Sequence, residues 1–216
     1  RFFREEGFLD VATPLLNPSL IPEDHIHPIE TAAGFLLPSP EIHMKRFLAA
    51  GYDRVFQVGP CFRKGERGEL HLPEFTMLEW YRVREDYRAL ADDCERLFLA
   101  VSQDLFGRTG IEYRGASIDL APPWQRLTVK EAFLTHAGWD PIEEENPERF
   151  EQDLAEKVVP GLDKGKPAFL LDFPAYEASL ARKKPEDPRA AERLELFAGG
   201  LELANGFSEL TDSEEQ

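Results

Sequence analysis

The chain is poor in cysteine and has no long hydrophobic run. Its 216 residues include two cysteines, Cys61 and Cys94, whose number and spacing match neither a disulfide framework nor a zinc site. No stretch approaches the ~18 consecutive apolar residues that a membrane-spanning helix needs. Residues 1–6 have the pattern of an amphipathic helix, and they lack the apolar core of a secretory signal. These absences predict a cytoplasmic protein without a membrane anchor.

Basic residues are also scarce. The chain has 25 lysines and arginines against 41 aspartates and glutamates, so its formal net charge is −16. Most of the acidic excess follows residue 83. Such a surface generally repels a nucleic-acid backbone, although a local basic patch can form on an acidic protein. The charge therefore weighs mildly against a nucleic-acid partner.

The order of predicted elements indicates an α+β fold. A long amphipathic helix is predicted over 86–106. Its predicted buried side carries Leu90, Leu97, Phe98, Val101 and Leu105. Residues at about 121–165 predict a more helical insertion, in which Thr128 and Glu131 form a capping box at the start of a helix.

The segment 62–81 reads as a strand, a charged loop and a returning strand. Because side chains alternate along a strand, the second strand places Phe75 and Glu79 on one mostly apolar face. A carboxylate on such a face is costly unless it meets a cation or hydrogen-bond donors. Arg63 is a planar fork suited to a carboxylate or a phosphate, and the Phe75 ring could cover a flat base. The segment thus has the parts to hold a phosphate, a ring and an ammonium group.

A last hairpin is predicted over 193–209, with its turn at Gly199-Gly200. It carries several carboxylates, of which Glu195 and Glu202 lie on either side of the turn. Both could face one site, although strand alternation alone does not prove it. Carboxylate oxygens are hard ligands that suit Mg²⁺.

The segment 62–79 resembles motif 2 of class II aminoacyl-tRNA synthetases, in particular the lysine-type subgroup. The matching residues are Phe62-Arg63 and His71-Leu72-Pro73-Glu74-Phe75-Thr76-Met77-Leu78-Glu79. Residues 2–14 resemble motif 1, which implies a homodimer, and 193–210 resemble the region between motifs 2 and 3. The resemblance implies that residues 1–216 form a catalytic domain, with an antiparallel sheet flanked by helices, truncated before motif 3.

The resemblance also implies a reaction, in which ATP activates an amino acid with two amino groups and Mg²⁺ assists. Arg63 is the implied catalytic residue, bridging the amino-acid carboxylate and the α-phosphate of ATP. Glu195 and Glu202 are implied to hold Mg²⁺. The implied ATP-binding residues are Arg63, Glu66, His71, Phe75, Glu202 and Leu203. The implied substrate-binding residues are Ser39, Glu41, Glu79, Tyr81, Asn205 and Glu209.

The sequence departs from the pattern of synthetases that charge tRNA. Those enzymes usually have Arg-Asn-Glu and His-Asn-Pro, whereas this chain has Arg63-Lys64-Gly65-Glu66 and His71-Leu72-Pro73. The carboxylate is displaced by one position, and a leucine cannot donate the hydrogen bond of an asparagine. No segment resembling motif 3, with its ATP-binding arginine, is found in the sequence, so the implied catalytic site is incomplete.

Two segments, 41–51 and 78–82, look closer to the elongation factor P lysine ligases, a branch of the same family that modifies a protein. The favoured hypothesis is therefore activation of lysine or (R)-β-lysine and its transfer to a lysine of elongation factor P. A lysyl-tRNA synthetase that charges tRNA is the first alternative. A non-catalytic, synthetase-like binding module is the second. Both forms of lysine carry two ammonium groups and one carboxylate, so the sequence does not separate them.

Overall fold

The computed structural model describes residues 1–19 and 26–215. The chain forms two compact units, the first from Arg1 to Arg84 and the second from Glu85 onward. Helices accompany sheets whose strand pairs are mostly antiparallel, so the predicted α+β class is confirmed. Within the described ranges, no helix is long and apolar enough to cross a bilayer.

In residues 1–19 and 26–84, the first unit combines two short helices with two small sheets. Its helices are α1 (Phe2–Glu5) and α2 (Glu41–Ala49). Its strands are β1 (Leu9–Asp10), β2 (Leu16–Asn17), β3 (Glu30–Thr31), β4 (Gly34–Leu36), β5 (Arg54–Phe62) and β6 (Glu74–Arg82). One sheet has the order β1-β5-β6, with β1 parallel to β5 and β5 antiparallel to β6. The other sheet has the order β2-β4-β3 and is antiparallel.

Aromatic rings hold the β5–β6 hairpin against α1. The buried Phe3 ring stacks on Phe56 of β5 at 4.9 Å between centroids, and it meets Phe8 edge-on at 5.1 Å. A second buried cluster joins Met44 of α2 to Val55 of β5. Because apolar side chains anchor it on both sides, the hairpin is a firm support for the polar side chains that it carries.

Over residues 85–215, the second unit contains four α-helices, two short helical turns, a separate hairpin and a larger sheet. Its helices are α3 (Tyr87–Phe106), α4 (Val129–His136), α5 (Pro147–Asp153), a π-helical turn (Leu154–Val158), α6 (Val159–Gly161) and a 3₁₀ turn (Ala175–Glu177). Its strands are β7 (Gly110–Tyr113), β8 (Ala116–Asp119), β9 (Gln125–Thr128), β10 (Ala168–Pro174), β11 (Ala190–Ala198) and β12 (Leu201–Phe207). The larger sheet has the order β12-β11-β10-β9, and only the β9–β10 pair in it is parallel.

Helices α4 and α5 cover one face of this larger sheet. The Phe133 ring of α4 stacks on the Phe150 ring of α5 at 4.8 Å. Both rings belong to one buried cluster with Phe173 of β10 and Phe197 of β11. The predicted capping box is present, because Thr128 Oγ1 accepts a hydrogen bond from the Glu131 N–H and the Glu131 carboxylate accepts one from the Thr128 N–H. The predicted domain boundaries, with a helical insertion at about 121–165, stay a prediction.

The long helix α3 is where it was predicted, but part of its predicted buried side faces solvent. Its N-cap is Asp86, which accepts from the Arg88 N–H, and it ends at the left-handed Gly107. Val101 is 44% exposed and Leu105 is 69% exposed, so the prediction was wrong for these two. The helix buries smaller residues closely instead, among them Ala91, Cys94 and Ser102.

Candidate active site

The β5–β6 hairpin aligns the polar residues predicted from the 62–81 segment. Glu79 lies opposite Gln57, and Phe75 lies opposite Cys61. Along β6, the side chains at 74 and 76 are exposed, whereas Phe75 is half-buried. The alternation inferred from the sequence therefore exists at this end of the strand, and it directs Phe75 and Glu79 to the same face.

Glu79 lies among hydroxyl groups. Tyr81 donates a hydrogen bond from its hydroxyl to Glu79 Oε1 at 2.7 Å, and Ser39 donates to Oε2 at 3.1 Å. Burial raises the pKa of Glu79 to about 7, the Tyr81 hydrogen bond opposes this rise, and the neighbouring Glu41 carboxylate adds to it. A cation brought to this face would favour the ionised form of Glu79.

The start of helix α2 contributes a second carboxylate to the same place. The Ser39 hydroxyl accepts the Glu41 N–H at 3.1 Å while it donates to Glu79, so one side chain connects the two. Glu41 Oε1 receives the Lys45 ammonium at 2.7 Å. Four of the predicted substrate-binding residues, Ser39, Glu41, Glu79 and Tyr81, thus form one cluster within the first unit. We call it the amine cluster.

Arg63 lies at the start of the loop between β5 and β6. Its guanidinium is 5.2 Å from the Phe75 ring centroid, and its Nη1 is 3.7 Å from Glu66 Oε1. Its Nε donates to the Pro38 carbonyl at 3.3 Å. The loop returns to the hairpin where the Arg63 N–H donates to the Pro73 carbonyl at 2.9 Å. Of the four nucleotide-binding residues predicted in the segment 62–79, Arg63, Glu66 and Phe75 therefore lie together, whereas His71 is exposed on the loop.

In the second unit, the β11–β12 pairing settles which carboxylates share a face. Glu202 lies opposite Phe197, two residues along β11 from Glu195, so the two glutamates are on one side of the sheet. The register then shifts between Leu196 and Phe197. Because of that bulge, Asn205 stands opposite Glu195 in the place that Ala204 would take in a regular hairpin.

Glu195, Glu202 and Asn205 line a cavity of about 240 Å³. The other lining residues are Phe150, Glu151, Leu154, Phe173, Glu177 and Arg193. Glu195 is only 5% exposed, and Arg193 Nη2 donates to its Oε1 at 2.5 Å. Burial raises the pKa of Glu195 to about 7; Arg193 opposes this rise, and the carboxylates of Glu202 and Glu151 add to it.

These side chains fit the predicted role of holding Mg²⁺. Two carboxylates on one face repel each other across a polar cavity, and a divalent cation offsets that repulsion. Among residues 1–19 and 26–215, no group of three or more His, Cys, Asp or Glu residues is arranged to hold a metal ion. Glu195 and Glu202 would accordingly supply two ligands, with phosphate and water oxygens completing the coordination.

Two further predicted residues of this unit lie outside the cavity lining. Leu203 is 41% exposed and follows Glu202 on β12, next to the bulge. Glu209 is half-buried and forms an isolated antiparallel bridge with Ala181. Their implied roles in ATP and substrate binding stay predictions.

Sequence reasoning missed four charged residues at these sites: Lys45, Arg193, Glu151 and Glu177. Lys45 is four residues after Glu41 on a helix, and Arg193 is two residues before Glu195 on a strand. Helix and strand periodicity therefore predicts that each cation lies beside its glutamate. Glu151 reaches the cavity from α5. Nothing in the local sequence relates it to the hairpin, because only the packing of the helix on the sheet brings them together.

Comparisons with known proteins identify the family of this chain. A family model described as class II tRNA synthetases (D, K and N) matches residues 1–216. Curated proteins of Vibrio cholerae and Erwinia tasmaniensis, each named elongation factor P–(R)-β-lysine ligase, are 37% identical over 247 and 248 aligned residues. A protein of the same name from Yersinia enterocolitica is 36% identical over 248. Each alignment covers 100% of this chain and 71% of the relative.

Proposed function

The chain belongs to the class II tRNA synthetase family, in its D, K and N group, and we propose that it is an ATP-dependent ligase acting on lysine or (R)-β-lysine. It joins the amino acid to AMP as an aminoacyl-adenylate, then transfers the acyl group to a lysine side chain of elongation factor P. The names of the similar proteins from three bacteria support this activity.

The observation that carries the proposal is the amine cluster. The Glu79 and Glu41 carboxylates are electrostatic neighbours. The Ser39 hydroxyl donates to the Glu79 carboxylate and accepts the Glu41 backbone N–H, and Tyr81 adds a neutral donor to Glu79. Carboxylates that are partly removed from water bind an ammonium group strongly, because each then gains a charged partner. An amino acid with an additional amino group matches this chemistry better than one with a neutral side chain.

Arg63 would act on the reacting groups. A carboxylate oxygen of the amino acid attacks the α-phosphorus of ATP, and the bond to pyrophosphate breaks. Two anions must approach each other, so the step needs positioning and positive charge more than a protein nucleophile. The Arg63 guanidinium, steadied by Phe75 and the Pro38 carbonyl, supplies a planar fork for that purpose.

In the second unit, Glu195 and Glu202 are proposed to hold the metal. Mg²⁺, when bound, neutralises phosphate charge during the transfer. Arg193 fixes Glu195 from one side, and this leaves the other carboxylate oxygen available to a cation. In the second half-reaction, the amine of the acceptor lysine attacks the acyl carbon of the adenylate, and AMP leaves.

A protein acceptor suits the charge of this chain better than tRNA. At −16 the chain would repel a nucleic-acid backbone unless a local basic patch compensated. The substitution of Leu72 for the usual asparagine also removes a polar group from the loop. We further propose a homodimer, because residues 2–14 resemble motif 1. We propose a cytoplasmic location, because the two cysteines are free, buried thiols that suit a reducing compartment.

The deciding experiment follows labelled (R)-β-lysine, and labelled lysine in parallel, through both half-reactions. The full-length protein is incubated with ATP and Mg²⁺, then with purified elongation factor P or with lysine tRNA. Exchange of pyrophosphate into ATP and label on the protein acceptor are expected. Label on tRNA alone would indicate a lysyl-tRNA synthetase, and the absence of any exchange would indicate a non-catalytic binding module.

Arg63→Ala tests the mechanism, with Arg67→Ala as its matched control on the same loop, where Arg67 is exposed. Losing a charge-stabilising donor in the transition state costs about 100- to 1000-fold in rate. We expect the pyrophosphate exchange rate to fall by this factor in Arg63→Ala and to stay unchanged in Arg67→Ala. Equal rates in the two variants would remove Arg63 from the mechanism.

A further inference from the structure

The amine cluster already contains an ammonium group of its own. Lys45 lies one helical turn after Glu41 on α2, and its Nζ is 2.7 Å from Glu41 Oε1. The Lys45 side chain is 30% exposed and the Glu41 side chain is 14% exposed, so solvent only partly screens this pair. The proposed substrate contacts assign no role to Lys45.

The charges around Glu79 can be counted from every neighbouring element. Helix α2 presents the Glu41 carboxylate and the Lys45 ammonium, and strand β6 presents the Tyr81 hydroxyl. Strand β5 presents the Cys61 thiol, whose pKa burial raises to about 11, so it is neutral at physiological pH. The Arg63 guanidinium also acts on Cys61, but it lies 3.7 Å from Glu66, which supplies its counter-charge. When Glu79 is ionised, two carboxylates and one ammonium therefore remain in the amine cluster, a net charge of one negative unit.

We propose that Lys45 is a positioning residue of the amine site: it holds Glu41 by one carboxylate oxygen and balances one of the two negative charges, so that the site admits one substrate ammonium group. This inference rests on the proposed function, because it assumes that the substrate is an amine. It assigns a specificity role to a residue that does not itself bind the reacting groups.

The physical basis is the repulsion between the two glutamates. Glu41 raises the pKa of Glu79, and Lys45 lowers it. With Lys45 present, Glu79 loses its proton near neutral pH and can bind an ammonium group. Without Lys45, both carboxylates would be uncompensated, and Glu79 would keep its proton to a higher pH.

The first measurement does not need activity. The protein is labelled with [δ-¹³C]glutamate, the Glu79 signal is identified by its loss in Glu79→Gln, and its titration is followed by NMR. We expect the Lys45→Met midpoint to lie about half a pH unit or more above that of the wild type. Lys45→Arg keeps the charge and should leave the midpoint in place.

Lys130→Met is the matched control. Lys130, on helix α4 of the second unit, forms a similar ion pair, in which its Nζ lies 2.6 Å from Asp140 Oδ2. Removing it deletes a lysine from an equally short ion pair but not from the amine cluster. Circular dichroism of all variants checks that each retains its helices, because Lys45→Met also removes a pair that stabilises α2.

The second measurement is the KM for lysine or (R)-β-lysine in pyrophosphate exchange, at pH 7.0 and pH 8.5. In Lys45→Met we expect KM to rise about threefold at pH 7.0, where less Glu79 is ionised. At pH 8.5 it should equal the wild-type value or fall below it, because a competing ammonium is gone. The turnover rate should change little at either pH.

The outcomes separate this inference from the proposed function. An unmoved Glu79 midpoint in Lys45→Met overturns the role of Lys45, whatever the enzyme does. A KM raised equally at both pH values also overturns it, because that pattern indicates simple structural damage. A wild-type protein that activates no amino acid rejects the proposed function, while the NMR titration still decides the electrostatic role.

Discussion

Glu79 and Glu195 are two glutamates whose hydrogen-bond partners differ in charge. Burial raises the pKa of each to about 7. Glu79 meets two neutral hydroxyl donors, whereas Glu195 meets an arginine at 2.5 Å. A carboxylate with neutral donors keeps its attraction for an incoming ammonium, and one already paired with a fixed arginine is oriented for a second cation. The partners, more than the burial, therefore distinguish their proposed roles.

Arg193→Met should weaken metal binding through Glu195. Arg193 donates to Glu195 and to the Glu177 carbonyl, and it lies 4.5 Å from the Phe173 ring centroid. The last two contacts hold the guanidinium in place while it orients the Glu195 carboxylate from one side. Loss of such a supporting residue typically lowers metal affinity 10- to 100-fold. We expect about a tenfold weaker affinity for Mn²⁺ with ATP, measured by the paramagnetic resonance of free Mn²⁺.

Arg182→Met is the control for this prediction. Arg182 forms a pair of similar length, 2.6 Å, with Glu192 on the same strand. Glu192 does not line the cavity, so this substitution should leave Mn²⁺ affinity unchanged. Equal loss in both variants would mean that strand β11, and not the orientation of Glu195, had been disturbed.

At the scale of the element, the β11–β12 hairpin sets the geometry of the cavity. Its two-residue turn has positive φ at both Gly199 and Gly200, 59° and 80°, as a right-handed twisted hairpin requires. That tight turn places Glu202 on the Glu195 side of the sheet, and the bulge near Leu203 then brings Asn205 to the same side. The turn and the bulge together bring Glu195, Glu202 and Asn205 to one side of the sheet.

The two turn glycines should differ in how well they tolerate alanine. At Gly200 an added Cβ meets nothing within 4 Å, so Gly200→Ala should lower the free energy of unfolding by about 1 kcal/mol, the cost of a left-handed L-residue. At Gly199 it would lie 3.0 Å from Ile118 Cδ1 and 3.2 Å from Tyr113 Cδ1. We therefore expect Gly199→Ala to lower the free energy of unfolding by about 2 kcal/mol.

Urea unfolding of the two variants beside the wild type provides the measurement. Each substitution adds one methyl group to the same turn, so each serves as the control for the other. A Gly200→Ala variant as unstable as Gly199→Ala would show that backbone strain, and not contact with the β7–β8 hairpin, limits this turn.

For the whole molecule, the dominant electrostatic property is the net charge of −16 with a sequence pI near 4.8. Many arginines and lysines already form ion pairs, such as Arg126 with Asp92 and Glu95. The carboxylates outnumber the lysines and arginines, 41 to 25, so repulsion among the excess carboxylates should oppose folding at pH 8. Salt screens such repulsion over about 10 Å at 0.1 M.

Sodium chloride should therefore stabilise this protein at alkaline pH. Raising its concentration from 0.02 to 0.3 M is expected to increase the free energy of unfolding at pH 8, measured with urea. Near pH 5.5 the charge is smaller, and the increase should shrink. A decrease with salt at pH 8 would mean that attractive ion pairs outweigh the general repulsion.

Local sequence was sufficient for several parts of the fold and the site. The capping box at Thr128, the Gly199-Gly200 turn and the shared face of Phe75 and Glu79 were all predicted and are present. Each depends on residues within a few positions of one another. Backbone geometry repeats with a fixed period over that range, so spacing in the chain translates directly into position in space.

Tertiary structure decided what depends on distant partners. Ser39 donates to Glu79 forty residues away, and Glu151 reaches the cavity only because α5 packs on the sheet. The same limit explains α3, whose period was predicted correctly while Val101 and Leu105 proved exposed. A periodic pattern marks which side of an element is apolar, but how far that side is buried depends on the length of the surface that packs against it.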